Sequence, residues 1–268
     1  MNQFVPILLY HSISERVSSK FSPWAVSPNH FAEHMAYLND QGYTPVTVSQ
    51  FAAELIAREN RLPERPVVIT FDDGLDDFYT NALPILKNYS FFGTLYIVTG
   101  FVGRTSRWLE KEGEGGRQML SWDKIREIDA SGIECGAHSH THPELDTLSL
   151  ATAREEIVLS KNILEKHLSK KVKSFAYPHG YHNNALRQLL MAVGYTSGCA
   201  VKHAMSSLAD DRFALARIII KSDTQVDVLE QLLTGKDLRV APFREGVSTK
   251  AWRWFRRSTA MAREYGTR

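Results

Sequence analysis

The sequence predicts an α/β fold built on a parallel sheet, closed as a barrel rather than left as a doubly wound layer. Two observations carry this. Short β-prone runs that are almost wholly apolar recur along the chain, and amphipathic stretches with helical spacing separate most of them. A strand that is apolar on both faces needs cover on both, which is the condition of a parallel sheet with crossover helices. No Gly-x-Gly-x-x-Gly follows a strand and no Walker lysine motif occurs, so the nucleotide-binding doubly wound sheets lose their usual signal.

Strands are expected at 5–10, 67–71, 94–98, 133–137, 174–177, 196–199 and 215–220. The first helix, 28–41, begins with Pro28 at a favourable first helical position after Ser27, and Phe31, Met35 and Leu38 follow at helical spacing. Similar patterns predict helices at 48–58, 78–89, 122–130, 150–168, 185–193 and 226–233, while the Gly-rich segment 112–116 reads as a surface loop. With 268 residues, one catalytic domain over 1–240 is the economical reading, followed by a basic, aromatic tail at 241–268.

Composition excludes more than it assigns. The apolar share of 43% and charged share of 23% are those of an ordinary globular chain, which argues against disorder or a fibrous repeat. The net charge of +2 hides an imbalance: eight Lys/Arg and two Glu fall in 239–268, so the body is net acidic and no nucleic-acid partner is expected. Cys135 and Cys199 lack the spacing of a zinc knuckle or a disulfide framework and are expected to be buried thiols. The run Phe4 to Tyr10 has no basic segment before it and is interrupted by Pro6, so a cytoplasmic location is expected for the chain as given. Oligomeric state leaves no signal.

Chemistry enters at two places. In Val67-Val68-Ile69-Thr70-Phe71-Asp72-Asp73-Gly74 a hydrophobic strand delivers adjacent carboxylates to its C-terminal end, where barrel active sites form. Neighbouring carboxylates repel, and a dry site tolerates both ionised only with a compensating cation, most simply a metal. The bland alternative is a capped turn, with Asp76 and Asp77 continuing a solvated acidic loop. The second place, Cys135-Gly136-Ala137-His138-Ser139-His140-Thr141-His142-Pro143, packs three imidazoles into five residues after an apolar run. A His-x-x-x-His pair can converge on one ion, with His140 a bystander; the plain alternative is a surface cluster of neutral rings. One carboxylate and two imidazoles would form a three-ligand face that leaves positions open for water and substrate.

The Thr-Phe-Asp-Asp-Gly and His-Ser-x-x-His-Pro runs resemble the first two motifs of the polysaccharide deacetylases, carbohydrate esterase family 4, also called the NodB-homology domain. The resemblance spans about residues 5–220. Val5-Pro6-Ile7-Leu8-Leu9-Tyr10-His11 is similar to the entry strand of the biofilm-polysaccharide branch, and Phe175-Ala176-Tyr177-Pro178-His179-Gly180 to the third motif. The resemblance implies a distorted (β/α)7-type barrel and a metal-dependent hydrolase that removes N-acetyl groups from amino sugars in a glycan. By position it implies Asp73, His138 and His142 as ligands of a divalent cation, Zn2+ first with Ni2+, Co2+ or Fe2+ as alternatives, and Asp72 as general base. Tyr177, Pro178, His179 and Tyr181 are the expected substrate contacts, and backbone N–H groups near Tyr177 the expected oxyanion donors.

Departures from the family pattern matter as well. Ala176 stands where many members carry an arginine that orients the catalytic aspartate, and Arg217 is the candidate substitute. The strand at 215–220 has no histidine where many members place the proton donor, so His11 is the first candidate for general acid, with His179 or His182 next. Trp108, Trp122, Tyr177 and Tyr181 are candidate sugar platforms. In the tail, Trp252, Trp254, Phe255 and Met261 interleave with Lys250, Arg253, Arg256, Arg257 and Arg263, a composition suited to peripheral contact with an anionic membrane or to packing on the barrel. Two rival readings are a hydrolase of another acyl group, such as an O-acetyl ester or non-sugar amide, and a non-catalytic sugar-binding relative.

Overall fold

The structure, a computed structural model, describes residues 4–243 together with Trp252, Arg256 and Arg257. Its principal sheet has eight strands: β1 (Ile7–Tyr10), β2 (Thr44–Pro45), β3 (Pro66–Phe71), β4 (Thr94–Ile97), β5 (Glu134–Ala137), β6 (Ser174–Ala176), β7 (Ser197–Cys199) and β8 (Ile218–Ile219). Their order is β7-β6-β5-β4-β3-β1-β8, with β2 beside β3, and every pairing is parallel. Leu215 bridges to Cys199 of β7, while Ile218 and Ile219 pair with Leu8 and Leu9 of β1. The segment 215–219 thus touches both edges and curls the sheet into the expected barrel.

Helices α1 (Pro28–Asp40), α2 (Val48–Ala57), α3 (Leu83–Asn88), α4 (Trp122–Ala130), α5 (Leu150–Leu168), α6 (Asn184–Val193) and α7 (Val226–Leu233) accompany the strands. Ser27 Oγ accepts the His30 N–H at 3.1 Å, and Thr47 with Gln50 forms a capping box, so α1 and α2 start where side chains satisfy the free amides. Two expectations needed adjustment. The strand at 5–10 breaks at Pro6, which has no N–H to give, and Phe4–Val5 pairs antiparallel with Ser206–Ser207 instead. The helix at 78–89 opens with a π-helical turn, Phe78–Ala82, before α3. No described helix is long and apolar enough to cross a membrane.

Strand geometry sorts side chains by a period of two. Leu8, Tyr10, Ile69, Phe71, Leu95, Ile97, Phe175 and Tyr177 belong to the core shared with helix residues such as Phe31, Leu86, Ile157 and Leu190. The alternate positions, Ile7, Val68, Tyr96, Ala176, Cys199 and Leu215, make a second, smaller cluster inside the barrel. Tyr96 fills that interior, and a Cβ at Gly136 would lie 2.5 Å from its ring, so glycine is required there. Both cysteines are free and buried, as expected.

His34 on α1 is fully buried, with Nδ1 3.0 Å from the Tyr10 hydroxyl and Nε2 2.9 Å from the Thr224 carbonyl. Burial pushes its pKa down to about 4, with the Thr224 carbonyl pulling weakly the other way. The unfolded chain takes up this proton near pH 6.5 and the native state only near pH 4, so stability is lost as pH falls through that window. The loss reaches at most about 3 kcal/mol. Urea denaturation across the window is expected to show a shallower pH dependence for His34→Gln; an unchanged slope contradicts this assignment.

Candidate metal centre and its cleft

The inward parity of the strands decides which side chains meet at the C-terminal mouth of the barrel. Continuing from Ile7, Val68, Gly136 and Leu215 in steps of two, the inward positions beyond or within the strands are His11, Asp72, His138 and Arg217. The Asp72 N–H still donates to Tyr10 O at 3.0 Å, and the His138 N–H to Ile97 O at 3.0 Å, so both residues extend the ladder. Asp73 then turns at φ 76° and Gly74 at φ 78°, which brings two successive carboxylates to one place. The loop after His138 coils tightly, with Ser139 at φ 63° and His142 at φ 64°, and the His142 N–H donates to Ser139 Oγ at 3.0 Å. This returns His142 to His138, their rings 4.9 Å apart and edge to face.

Asp73 Oδ1 lies 3.4 Å from His142 Nε2 and 3.7 Å from His138 Nε2. Donors about 2.0–2.2 Å from one tetrahedral ion stand about 3.4 Å apart, so the three atoms have the spacing of ligands to a single cation. His138 Nδ1 donates to the Ala176 carbonyl at 2.8 Å, which leaves the Nε2 lone pair for the ion. Burial keeps both rings neutral: it lowers the pKa of His138 against the pull of Asp72, and lowers that of His142 with the neighbouring imidazoles adding to the effect. Asp73 is pushed up to about 8, first by burial and then by Asp72 beside it. A buried carboxylate under that load is stabilised by a cation, and the donor set fits a divalent metal.

Asp72 has the opposite fate. Burial alone would raise its pKa, but the Arg217 charge, then His138, and the hydrogen bonds from Arg217 bring it below the ordinary value. The guanidinium is fully buried and bidentate: Nη1 to Asp72 Oδ1 and Nη2 to Asp72 Oδ2, both at 2.7 Å. Its Nε donates to Ala200 O at 3.0 Å, and Nη1 also reaches Thr70 Oγ1 at 3.3 Å. Arg217 therefore takes the part left open by Ala176.

The cleft above these groups holds about 270 Å³ and is walled by His11, Trp24, Glu112, His179 and Tyr181. His11 Nδ1 has no hydrogen-bond partner among the described residues. Burial lowers the pKa of His11 to about 4, while Asp72 pulls it upward. Trp108 stacks on His142 with centroids 5.2 Å apart, and Tyr181 on His179 at 5.7 Å.

Other candidate residues lie away from the metal centre. Tyr177, expected as a substrate contact, is placed in the core instead: it follows β6 with an outward side chain, is fully buried, and donates its hydroxyl to Phe213 O at 2.9 Å. Its amide donates to Cys199 O at 3.1 Å within the sheet, so it is not free to serve an oxyanion. Pro178 is buried and does not line the cleft. His182 stacks beneath Tyr177 and lines a separate cavity, and Trp122 stacks on His167 away from the metal centre. His140 bonds to Thr99 Oγ1 and stays out of the triplet. The tail residues Lys250, Arg253, Trp254, Phe255, Met261 and Arg263 lie outside the described residues.

A family model for polysaccharide deacetylases matches residues 59–198, just over half of the chain. The chain belongs to the polysaccharide deacetylase family. Members of this family depend on a divalent metal, in keeping with the Asp73, His138 and His142 triplet. The chain is similar to the Streptococcus pyogenes deacetylase PplD, solved with acetate, at 27% identity and a TM-score of 0.76 over 87% of this chain and 99% of that one. It is similar to IcaB of Ammonifex degensii at 25% identity and a TM-score of 0.72, over 86% of this chain and 97% of that one. A poly-β-1,6-N-acetyl-D-glucosamine N-deacetylase of Staphylococcus aureus is 26% identical over 215 residues, 77% of this chain and 71% of the relative.

Removing one partner of a buried ion pair leaves the other uncompensated and costs about 3–5 kcal/mol. Arg217→Met is expected to lose stability of that order by chemical denaturation, and Arg217→Met/Asp72→Asn to recover much of it. Additive losses in the double variant contradict the pairing.

Proposed function

We propose that the protein removes N-acetyl groups from N-acetylglucosamine residues of a polysaccharide or oligosaccharide, with Asp73, His138 and His142 holding Zn2+. The observation that carries this is the adjacency of two buried carboxylates with opposite fates: Asp72 held ionised by Arg217, Asp73 loaded for a cation beside two neutral imidazoles. Three protein ligands of this type leave a position open, the pattern of catalytic rather than structural zinc; Ni2+, Co2+ and Fe2+ suit the same donors. When bound, the cation supplies Lewis-acid polarisation of the acetyl carbonyl and acidifies the attacking water.

The protein's own groups do the remaining work. Asp72, charged and oriented by two hydrogen bonds, accepts the proton of that water. The sugar nitrogen must gain a proton before it leaves, and His11, on the cleft wall with an unengaged Nδ1, is the proposed donor: neutral at rest, it would take up the proton that Asp72 removes from water, the Asp72 charge favouring its protonated form, and pass it to the nitrogen. His179 and Tyr181 present stacked rings at the rim, suited to the face of a pyranose. The polymeric amino-sugar substrate is supported by the family and by the Staphylococcus aureus relative, which acts on poly-β-1,6-N-acetyl-D-glucosamine.

Acetate release from N-acetylglucosamine oligomers tests the reading. Asp72→Asn is expected to lower kcat about 10²–10⁴-fold, and chelation to abolish activity until metal is restored. Unchanged release after thorough metal removal refutes the proposal. His11 has its own test: an aryl acetate has a leaving group that needs no proton. His11→Asn should therefore lose activity on the glycan by a factor of about 10² or more and on the aryl ester far less. Equal losses on both would remove His11 from the acid role.

A further inference from the structure

Beyond the cleft, Arg256 and Arg257 close on the loop that carries His142. Arg256 donates from Nη1 to Glu144 Oε2 at 2.5 Å and from Nη2 to Asp146 Oδ1 and Oδ2 at 2.6 and 2.5 Å. Arg257 Nε adds a bond to Asp146 Oδ2 at 3.0 Å, and the Asp146 carboxylate is wholly covered. The same Arg256 guanidinium lies 3.8 Å above the Tyr181 ring and 5.4 Å from that of Trp252. Trp252 approaches Tyr181 at 5.4 Å and remains 49% exposed.

The rings form a continuous path. From Trp252 it passes to Tyr181 at 5.4 Å, to His179 at 5.7 Å and to the proposed metal ligand His142 at 4.8 Å. One end is solvent-exposed and the other is the reacting centre. An indole half open to water adds little to the core, yet this one stands beside a guanidinium that two carboxylates pin. Such an arrangement presents a fixed aromatic face to a ligand, as an interface anchor does. Arg256 and Arg257 are engaged by Glu144 and Asp146, so these two cations are not available to anionic lipid, which favours a glycan over a membrane as occupant.

We propose that the exposed Trp252 ring forms a second glycan subsite, distal to the metal, that Arg256 and Tyr181 hold in place. A sugar unit removed from the one being deacetylated would stack there, and affinity would grow with chain length. The inference rests on the proposed deacetylase reading.

Calorimetric titration of the full chain, metal-loaded and carrying Asp72→Asn to prevent turnover, with N-acetylglucosamine oligomers of increasing length provides the test. Affinity is expected to rise with length, and Trp252→Ala to weaken the longest oligomer about tenfold while flattening the length dependence. Trp252→Phe should retain most of the gain, and Arg256→Met should behave like Trp252→Ala. A metal titration of each variant reports whether the catalytic end remains formed. Equal affinities for Trp252→Ala and its parent overturn the subsite alone, as does an equal loss at every length. Loss of binding to anionic phosphatidylserine vesicles with glycan affinity intact would assign Trp252 to a membrane and overturn it too. Failure of every oligomer to bind the parent overturns both the subsite and the glycan reading.

Discussion

Two carboxylates at the end of one buried strand must each find a positive partner, and most of the site follows from how the fold supplies them. Asp72 and Asp73 are 3% exposed and adjacent in sequence, so without compensation one would take up a proton. The fold gives Asp72 a permanent cation, the Arg217 guanidinium, and leaves Asp73 turned toward two imidazoles that carry no charge of their own. The asymmetry separates their chemistry. A carboxylate fixed by two hydrogen bonds keeps its charge, while one pushed up to about 8 would keep its charge only with a cation beside it.

The placement of Arg217 shows how topology and electrostatics are joined. It sits between Leu215, which bridges to β7, and Ile218, which pairs with β1, so it belongs to the segment that draws the two sheet edges together. Its Nε satisfies the Ala200 carbonyl on one side while Nη1 and Nη2 hold Asp72 on the other. Closing the barrel and pairing the Asp72 carboxylate are therefore one structural event, and a chain that failed to close would leave a buried carboxylate unpaired.

Much of this was legible in the sequence because strands buried on both faces are nearly all apolar and stop at polar residues. The carboxylate pair and the histidine cluster declare themselves by adjacency, since few structural roles require either. Arg217 was legible only as a substitute for a missing arginine; the stronger signal is a charged residue in the middle of an apolar run, which needs a buried counter-charge. Tyr177 shares a motif with Ala176 but not a face. Ala176 and Tyr177 point to opposite sides of the sheet, and a count of two from Ala176 would have sent Tyr177 to the helix layer. The contacts of Arg256 and Arg257 with Glu144 and Asp146 span about a hundred residues of sequence, and no local pattern encodes such a pairing.

The backbone divides the site into two kinds of residue. His11, Asp72, His138 and Arg217 lie one residue outside a strand end and keep its inward parity, and for Asp72 and His138 backbone bonds to Tyr10 O and Ile97 O set the side-chain direction before any ligand arrives. Asp73, Ser139, His142 and His179 have left-handed backbones at φ 76°, 63°, 64° and 57°, conformations that cost a non-glycine residue about 1–2 kcal/mol. Strain of this kind is tolerable where a bound ion holds the ligand in return, as it would for Asp73 and His142. A general base has no such restraint, because its partner is a proton in transit, so its position must come from the scaffold. The same strand that delivers both carboxylates thus places the proposed base, Asp72, within the ladder and the proposed ligand, Asp73, beyond it, one residue and one turn of the backbone apart.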